Sequence, residues 1–195
     1  MKPEKKNKKQ EIINKYNQTS EFYDRRYVKI QQDKFSLILK DNSIYEKLIL
    51  DAGCGTGLLF GVIDNSFEKS NITDFHYVGV DISINMLKRF HSKLDQKVKN
   101  VNLILTDLEN LPFRENKFTL LFSFTSLQNL PDVIEGVKES FRVVKDGTDV
   151  NFSILRKKLN KERLKVLLKP LIKYMKIIDI ESIEDVLFTG KALKE

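Results

Sequence analysis

Leu48-Ile-Leu-Asp-Ala-Gly-Cys-Gly-Thr-Gly-Leu-Leu59 carries a short apolar run through glycines at 53, 55 and 57 into an amphipathic stretch. A strand, a tight turn and a helix are the expected reading. Glycine has no Cβ, so the chain bends sharply there and lets a ligand approach the backbone. Free amides at the start of the next helix then face that ligand. Two nucleotide fingerprints fail on count. G-x-G-x-x-G/A from Gly53 places Leu58 at the last position, and from Gly55 it places Phe60 there. No Gly-Lys-Ser/Thr follows either, which excludes a P-loop.

Outward from this loop, apolar runs alternate with helix-like segments. The runs are Tyr77–Val80, Val101–Leu105, Phe118–Phe124, Val150–Leu155, Lys176–Ile180 and Val186–Thr189. The helical segments are Leu58–Asn65, Ile84–Leu94, Val133–Val143 and Lys157–Leu168, after one or two helices between Glu11 and about Lys40. Nearly continuous apolar runs suit strands covered on both faces. Their alternation with helices implies parallel crossovers in an open α/β sheet of a single domain. In such a sheet, ligands bind beyond the carboxyl ends of the strands. Three successive runs close on an acid in that position: Asp51, Asp81 and Asp107. A single Asp after a strand is usually a turn former or a cap, but three aimed at one crevice suggest a binding site. Ser83 is placed to cap the helix that follows Asp81.

Asp-x-Gly-x-Gly-x-Gly (51–57) resembles the first motif of class I S-adenosylmethionine-dependent methyltransferases. Asp-Ile-Ser-x-x-Met-Leu (81–87) and Asp-Leu-Glu-Asn-Leu-Pro-Phe (107–113) resemble their second and third motifs, in the type 11, UbiE-like branch. Glu139-Ser-Phe-Arg-Val-Val-Lys-Asp-Gly147 resembles the Glu-x-x-Arg-Val-Leu-Lys-Pro-Gly-Gly stretch before the fifth strand, with Asp146 and Thr148 as departures. The resemblance implies a Rossmann-like three-layer sandwich with a seven-stranded, mostly parallel sheet of order 3-2-1-4-5-7-6, its last strand antiparallel. It also implies S-adenosyl-L-methionine as cofactor. Asp51 would then lie near the ammonium or sulfonium, Asp81 would accept both ribose hydroxyls, and Ile82 would face adenine. Asp107, with the Leu108 amide beside it, would receive the adenine amino group. The implied cofactor contacts are Asp51, Ala52, Gly53, Cys54, Gly55, Gly57, Asp81, Ile82, Met86, Asp107, Leu108, Ser123 and Tyr23. Tyr23 lies in Tyr16–Tyr27, similar to a segment that folds over the cofactor in relatives, and residues 11–45 form an N-terminal helical lid on this reading. The other reading of Tyr23 is a core aromatic.

The acceptor side is less determined. Ser123–Asn129 would border the transferable methyl group, with Thr125, Gln128 and Asn129 as substrate candidates; Gln128 and Asn129 equally suit the opening of a helix. Neither Asn/Asp-Pro-Pro-Tyr nor Pro-Cys occurs, which argues against many exocyclic-nitrogen enzymes and against the covalent 5-methylcytosine mechanism. A nitrogen or oxygen acceptor is expected, with no catalytic base assigned.

Composition sets the remaining limits. The chain has 195 residues, is 41% hydrophobic and 31% charged, and therefore holds enough apolar material for one ordinary core. One cysteine, Cys54, rules out an internal disulfide and a multi-cysteine zinc site, and no other metal-ligand grouping is visible. No apolar run approaches membrane-spanning length, and the basic start lacks a secretory core, so a cytoplasmic protein is expected. Residues 1–10, rich in Lys, Asn and Gln, suggest a disordered basic tail before a domain at 11–195. The net charge of +7 is uneven: residues 1–10 and 156–176 are strongly basic on an acidic remainder. That pattern suits a polyanion such as tRNA or rRNA, or simply solvated lysine-rich surfaces. A small-molecule acceptor, an RNA or translation-factor acceptor with an activating protein subunit, and a noncatalytic cofactor-binding subunit all stay open.

Overall fold

The computed structural model describes residues 3–39, 47–68, 75–95, 98–158 and 160–194. Its elements are α1 (Pro3–Leu39), β1 (Lys47–Ala52), α2 (Leu58–Glu68), β2 (Phe75–Asp81), α3 (Ile84–His91), β3 (Val101–Leu105), β4 (Phe118–Phe124), α4 (Val133–Val143), β5 (Val144–Leu155), α5 (Lys161–Leu168), β6 (Ile172–Ile178) and β7 (Asp185–Ala192). The strands form one sheet in the order β3-β2-β1-β4-β5-β7-β6. β1 to β5 are parallel, and β7 runs antiparallel between β5 and β6. This is the expected order.

Period-two alternation sends neighbouring residues to opposite faces, so the two faces build two cores. Ile49, Tyr77, Leu120 and Phe122 pack with Phe35 and Ile38 of α1, Phe60 and Ile63 of α2 and Phe90 of α3. Leu50, Val78, Leu121, Val150 and Phe152 pack on the other face with Val137 and Phe141 of α4 and Leu164 and Leu168 of α5.

Several segments differ from the sequence expectation, among them β6, which begins at Ile172 rather than Lys176. Residues 3–10 are helical, not a disordered tail: Pro3 occupies the first turn, no Gly or Pro interrupts the chain up to Leu39, and Lys, Glu and Gln are good helix formers. The helix is also anchored there, because Lys8 donates to the Leu130 carbonyl at 2.9 Å and Lys9 pairs with Asp107 and Glu109. The anticipated lid at 11–45 is therefore the continuation of one 37-residue helix; positions 40–46 lie outside the described residues. β5 begins at Val144 rather than Val150, and its register against β4 shifts between Phe118 and Leu120. Asp146 and Gly147 sit in this irregularity, where Thr148 ties back to the Phe118 carbonyl. α5 begins at Lys161, four residues late, where Asn160 supplies the cap by accepting from the Arg163 amide.

Candidate functional site

The glycine loop is bound to the neighbouring strand before it reaches any ligand. The Gly53 and Cys54 amides both donate to the Val80 carbonyl, at 2.8 and 2.9 Å. Gly55 has φ +54, and a Cβ there would meet nothing within 4 Å, so its backbone lies bare against open space. Its amide donates to Asp81 Oδ2 at 2.9 Å, and the Ser83 amide donates to Oδ1 at 2.8 Å. Ser83 caps α3 by accepting from Met86 N, as expected. Burial lifts the Asp81 pKa to about 6 despite these amide donors, which stabilise the anion.

A crevice opens at the carboxyl ends of the strands. One end is lined by Gly53, Gly55, Asp81, Ile82, Met86, Asp107 and Leu108, and the other by Phe124, Thr125, Ser126, Asn129, Leu130 and Pro131. α1 roofs it with Lys9, Ile12, Tyr16 and Tyr23. Burial and neighbouring acids raise the Tyr16 hydroxyl to about 12 and push Tyr23 up as well, so both stay protonated at neutral pH. Lys9 bridges Asp107 and Glu109, which places a cation at the corner where Asp107 faces the crevice.

A second, smaller recess adjoins the first and shares Tyr23, Gly53, Gly55 and Phe124 with it. Asp51 lines this recess together with Gln31, Cys54 and Thr56. The Asp51 carboxylate is 3% exposed and accepts from the Tyr77 hydroxyl. Burial raises its pKa to about 7. Gln31 is 7% exposed, and its Oε1 has no hydrogen-bond partner.

Several expected contacts do not line either space. Ser123 is fully buried and donates to the Ala52 carbonyl at 3.0 Å, strand alternation having put it on the face opposite Phe122 and Phe124; Phe124 and Ser126 line the crevice in its place. Ala52 is buried in the core, and Gly57 packs against the Phe90 ring at the start of α2. Gln128 folds back onto the Thr125 carbonyl at 2.8 Å and lines neither space. Asn129 also donates to that carbonyl, and to the Tyr16 hydroxyl at 2.9 Å, while lining the crevice.

Sequence reasoning missed the framework behind this wall. Lys34 of α1 is 1% exposed and donates to Thr125 Oγ1 at 2.6 Å and to Asp185 Oδ2 at 2.8 Å. Asp185 also accepts from Ser153 and Thr125 hydroxyls, at 2.6 and 2.8 Å. Burial pushes the Lys34 pKa down, opposed by Asp185 and Glu184. Thr125 is held at φ 57, an uncommon conformation for a β-branched residue. α1 thus grips the Thr125–Asn129 wall at two points, through Lys34 and through Tyr16. The Glu-x-x-Arg of α4 has a comparable role below Asp107. Glu139 accepts from the Leu111 amide, and Arg142 donates to the Phe113 and Leu111 carbonyls at 2.7 and 2.9 Å.

The geometry agrees with comparison to known proteins. A family model described as a methyltransferase domain matches residues 49–147. Malonyl-[acyl-carrier protein] O-methyltransferase 2 of Ilyobacter polytropus is 33% identical over 123 residues, covering 62% of this chain and 44% of that protein. Demethylmenaquinone methyltransferase of Staphylococcus haemolyticus is 30% identical over 147 residues, covering 72% and 59%. The chain thus spans about half the length of the curated relatives it matches. Magnesium protoporphyrin IX methyltransferase from Synechocystis, solved with bound S-adenosylmethionine, superposes with a TM-score of 0.74 at 14% identity, over 95% of this chain and 97% of that one. A chain of the complex between the Haloferax volcanii Trm112 activator and a methyltransferase gives 0.72 at 11% identity, over 92% and 98%. With the strand order, the glycine loop and acids at the carboxyl ends of three successive strands in place, the chain belongs to the class I S-adenosylmethionine-dependent methyltransferase domains.

Proposed function

We propose that this chain transfers a methyl group from S-adenosyl-L-methionine to a nitrogen or oxygen nucleophile held against the Thr125–Pro131 wall. The observation that carries the reading is the Asp81 carboxylate, fixed by the Gly55 and Ser83 amides at the edge of a crevice that the Thr125–Pro131 wall also lines. The residues present fit the cofactor. The bare backbone at Gly55 leaves a cradle that any side chain would fill. The partnerless Gln31 Oε1 and the Asp51 carboxylate suit an ammonium group in the smaller recess. On this reading Asp81 holds the ribose hydroxyls, Ile82, Met86 and Leu108 form apolar surface around adenine, and Asp107 accepts its amino group once Lys9 yields. Tyr23 closes over the junction of the two spaces.

The bound cofactor supplies an activated sulfonium methyl. The protein's part is then positioning and exclusion of water. The α1 roof excludes solvent, and Asn129, oriented by Tyr16 and the Thr125 carbonyl, presents a polar group to the acceptor. Tyr16 and Tyr23 stay protonated and Lys9 is ion-paired, so the roof offers no strong base, which favours acceptors that are already nucleophilic. The test is transfer of labelled methyl by the purified protein into fractionated cell extract, sorted into RNA, protein and small molecules. No label in any fraction, with S-adenosylhomocysteine binding intact, would overturn the enzymatic reading in favour of a noncatalytic subunit. A second reading, activity only with an activating protein subunit, is favoured by likeness to the chain solved with the Trm112 activator. Label appearing only when extract protein is added back would support it.

A further inference from the structure

The largest run of net positive charge lies outside the crevice. Residues 156–176 hold nine Lys and Arg against one acid, Glu162, and run from the end of β5 through α5 into the edge strand β6. Asp179 pairs with both Arg156 and Lys161, and Lys165 stands 3.7 Å from Glu162. Among the described residues, Lys157, Lys158, Arg163, Lys169, Lys173 and Lys176 join no ion pair, and all six are exposed.

Within this strip the backbone takes a strained form to turn an aromatic outward. Tyr174 has φ 57, a left-handed conformation that is an outlier for a bulky residue. The register of β6 on β7 shifts between Lys173 and Lys176, and Tyr174 emerges there 74% exposed. Gly190 on β7 makes room for the bulge: a Cβ there would stand 2.4 Å from Ile172 Cγ2 and 2.8 Å from the Lys173 carbonyl oxygen. The Lys173 ammonium lies 5.1 Å from the Tyr174 ring centroid. A bulge and lysines alone would guard a sheet edge against pairing. An exposed ring among unpaired cations adds nothing to that defence, but it matches the combination of phosphate contacts and base stacking that single-stranded nucleic acids require.

We propose that the α5–β6 flank docks RNA, its unpaired lysines taking backbone phosphates while Tyr174 stacks on an unpaired base. The strip begins at Arg156–Lys158, immediately after β5, whose Ser153 carbonyl accepts the Thr125 amide at 3.0 Å. Its upper end therefore adjoins the crevice wall, and a bound strand can pass from the flank toward it. The flank needs no cofactor, so the inference stands apart from the methyl-transfer reading.

The test uses the full chain and a labelled oligouridylate, with binding followed by anisotropy across a salt series. Affinity should fall steeply with salt, and Lys169→Gln with Lys173→Gln should reduce the slope by about 1.4, at about 0.7 per phosphate contact on a single strand. Tyr174→Gly should weaken binding about tenfold, yet leave the thermal midpoint at or above that of the parent, because glycine accepts the left-handed backbone. Tyr174→Phe should bind like the parent. Calorimetry with S-adenosylhomocysteine should be unchanged in every variant, which separates this outcome from the fate of the crevice. Absent or salt-independent binding, or parent-like binding by Tyr174→Gly, overturns the proposal. Polyglutamate competing as well as RNA, regardless of Tyr174, would also overturn it and mark the flank as a protein-docking surface.

Discussion

Replacing Lys34 by Met would remove the cation that α1 buries against the sheet. Asp185 Oδ2 accepts from Lys34, Ser153 and Thr125, with side-chain exposures of 1% and 2% for the ionic pair. Lys34→Met leaves the carboxylate buried with two hydroxyl donors and no counter-charge, a loss of about 3–5 kcal/mol. For a domain of this size that corresponds to a fall in midpoint of about 6–20 °C. Asp185→Leu strands the ammonium at a comparable cost. The double variant removes both charges, so the two losses should not add, and most of the stability should return. The chain has no Trp, so urea unfolding followed by far-ultraviolet circular dichroism is the suitable assay, run on all four proteins at one pH. A Lys34→Met variant within about 0.5 kcal/mol of the parent, or a double variant as unstable as the sum of the singles, would refute the assignment of this pair as the pin between α1 and the crevice wall.

Three further outcomes follow from the site. Asp81→Ala should weaken S-adenosylhomocysteine binding about ten- to hundredfold through the loss of charge-assisted hydrogen bonds; unchanged calorimetric affinity would remove Asp81 from the ribose site. Asp51 titrates at about 7 in the folded protein against an ordinary value of 3.8. Folding therefore favours its protonated form, and its contribution, at most about 4 kcal/mol, is present below pH 4 and is lost as pH rises through 7. Asp51→Asn should flatten the fall in stability between pH 4.5 and 8, measured by urea unfolding without cofactor, and equal slopes in the two proteins would contradict this. Arg142→Ala should cost about 2–3 kcal/mol, because the Leu111 and Phe113 carbonyls lose a charged donor and Glu139 loses its partner. Thermal melts that coincide with the parent would show the clamp below Asp107 to be idle.

Much of the fold could be read locally. β3, β4 and α4 begin and end as their apolar patterns predict, since burial on both faces or along one helical stripe leaves its period in a short window. The glycine bend and the acids at the ends of three strands were legible for the same reason. Side-chain direction near strand ends was less so. Ser123 and Thr125 are two residues apart, yet one donates to the Ala52 carbonyl inside the sheet while the other lines the crevice. Thr125 reaches that position through a left-handed φ that no residue pattern announces.

The sequence by itself determined an open α/β sheet, the place of the crevice and the acids Asp81 and Asp107 that line it, because these follow from backbone chemistry and periodicity within a few residues; Asp51, expected in the same crevice, lines the adjoining recess instead. Tertiary structure alone decided what roofs and braces the crevice. Lys34 meets Asp185 across 151 positions and Lys9 meets Asp107 across 98, and the basic start of the chain is docked over the crevice because Asp107, Glu109 and the Leu130 carbonyl receive its lysines. The face that a 37-residue helix turns inward is set by contacts with distant strands, and their energies belong to no short stretch of sequence.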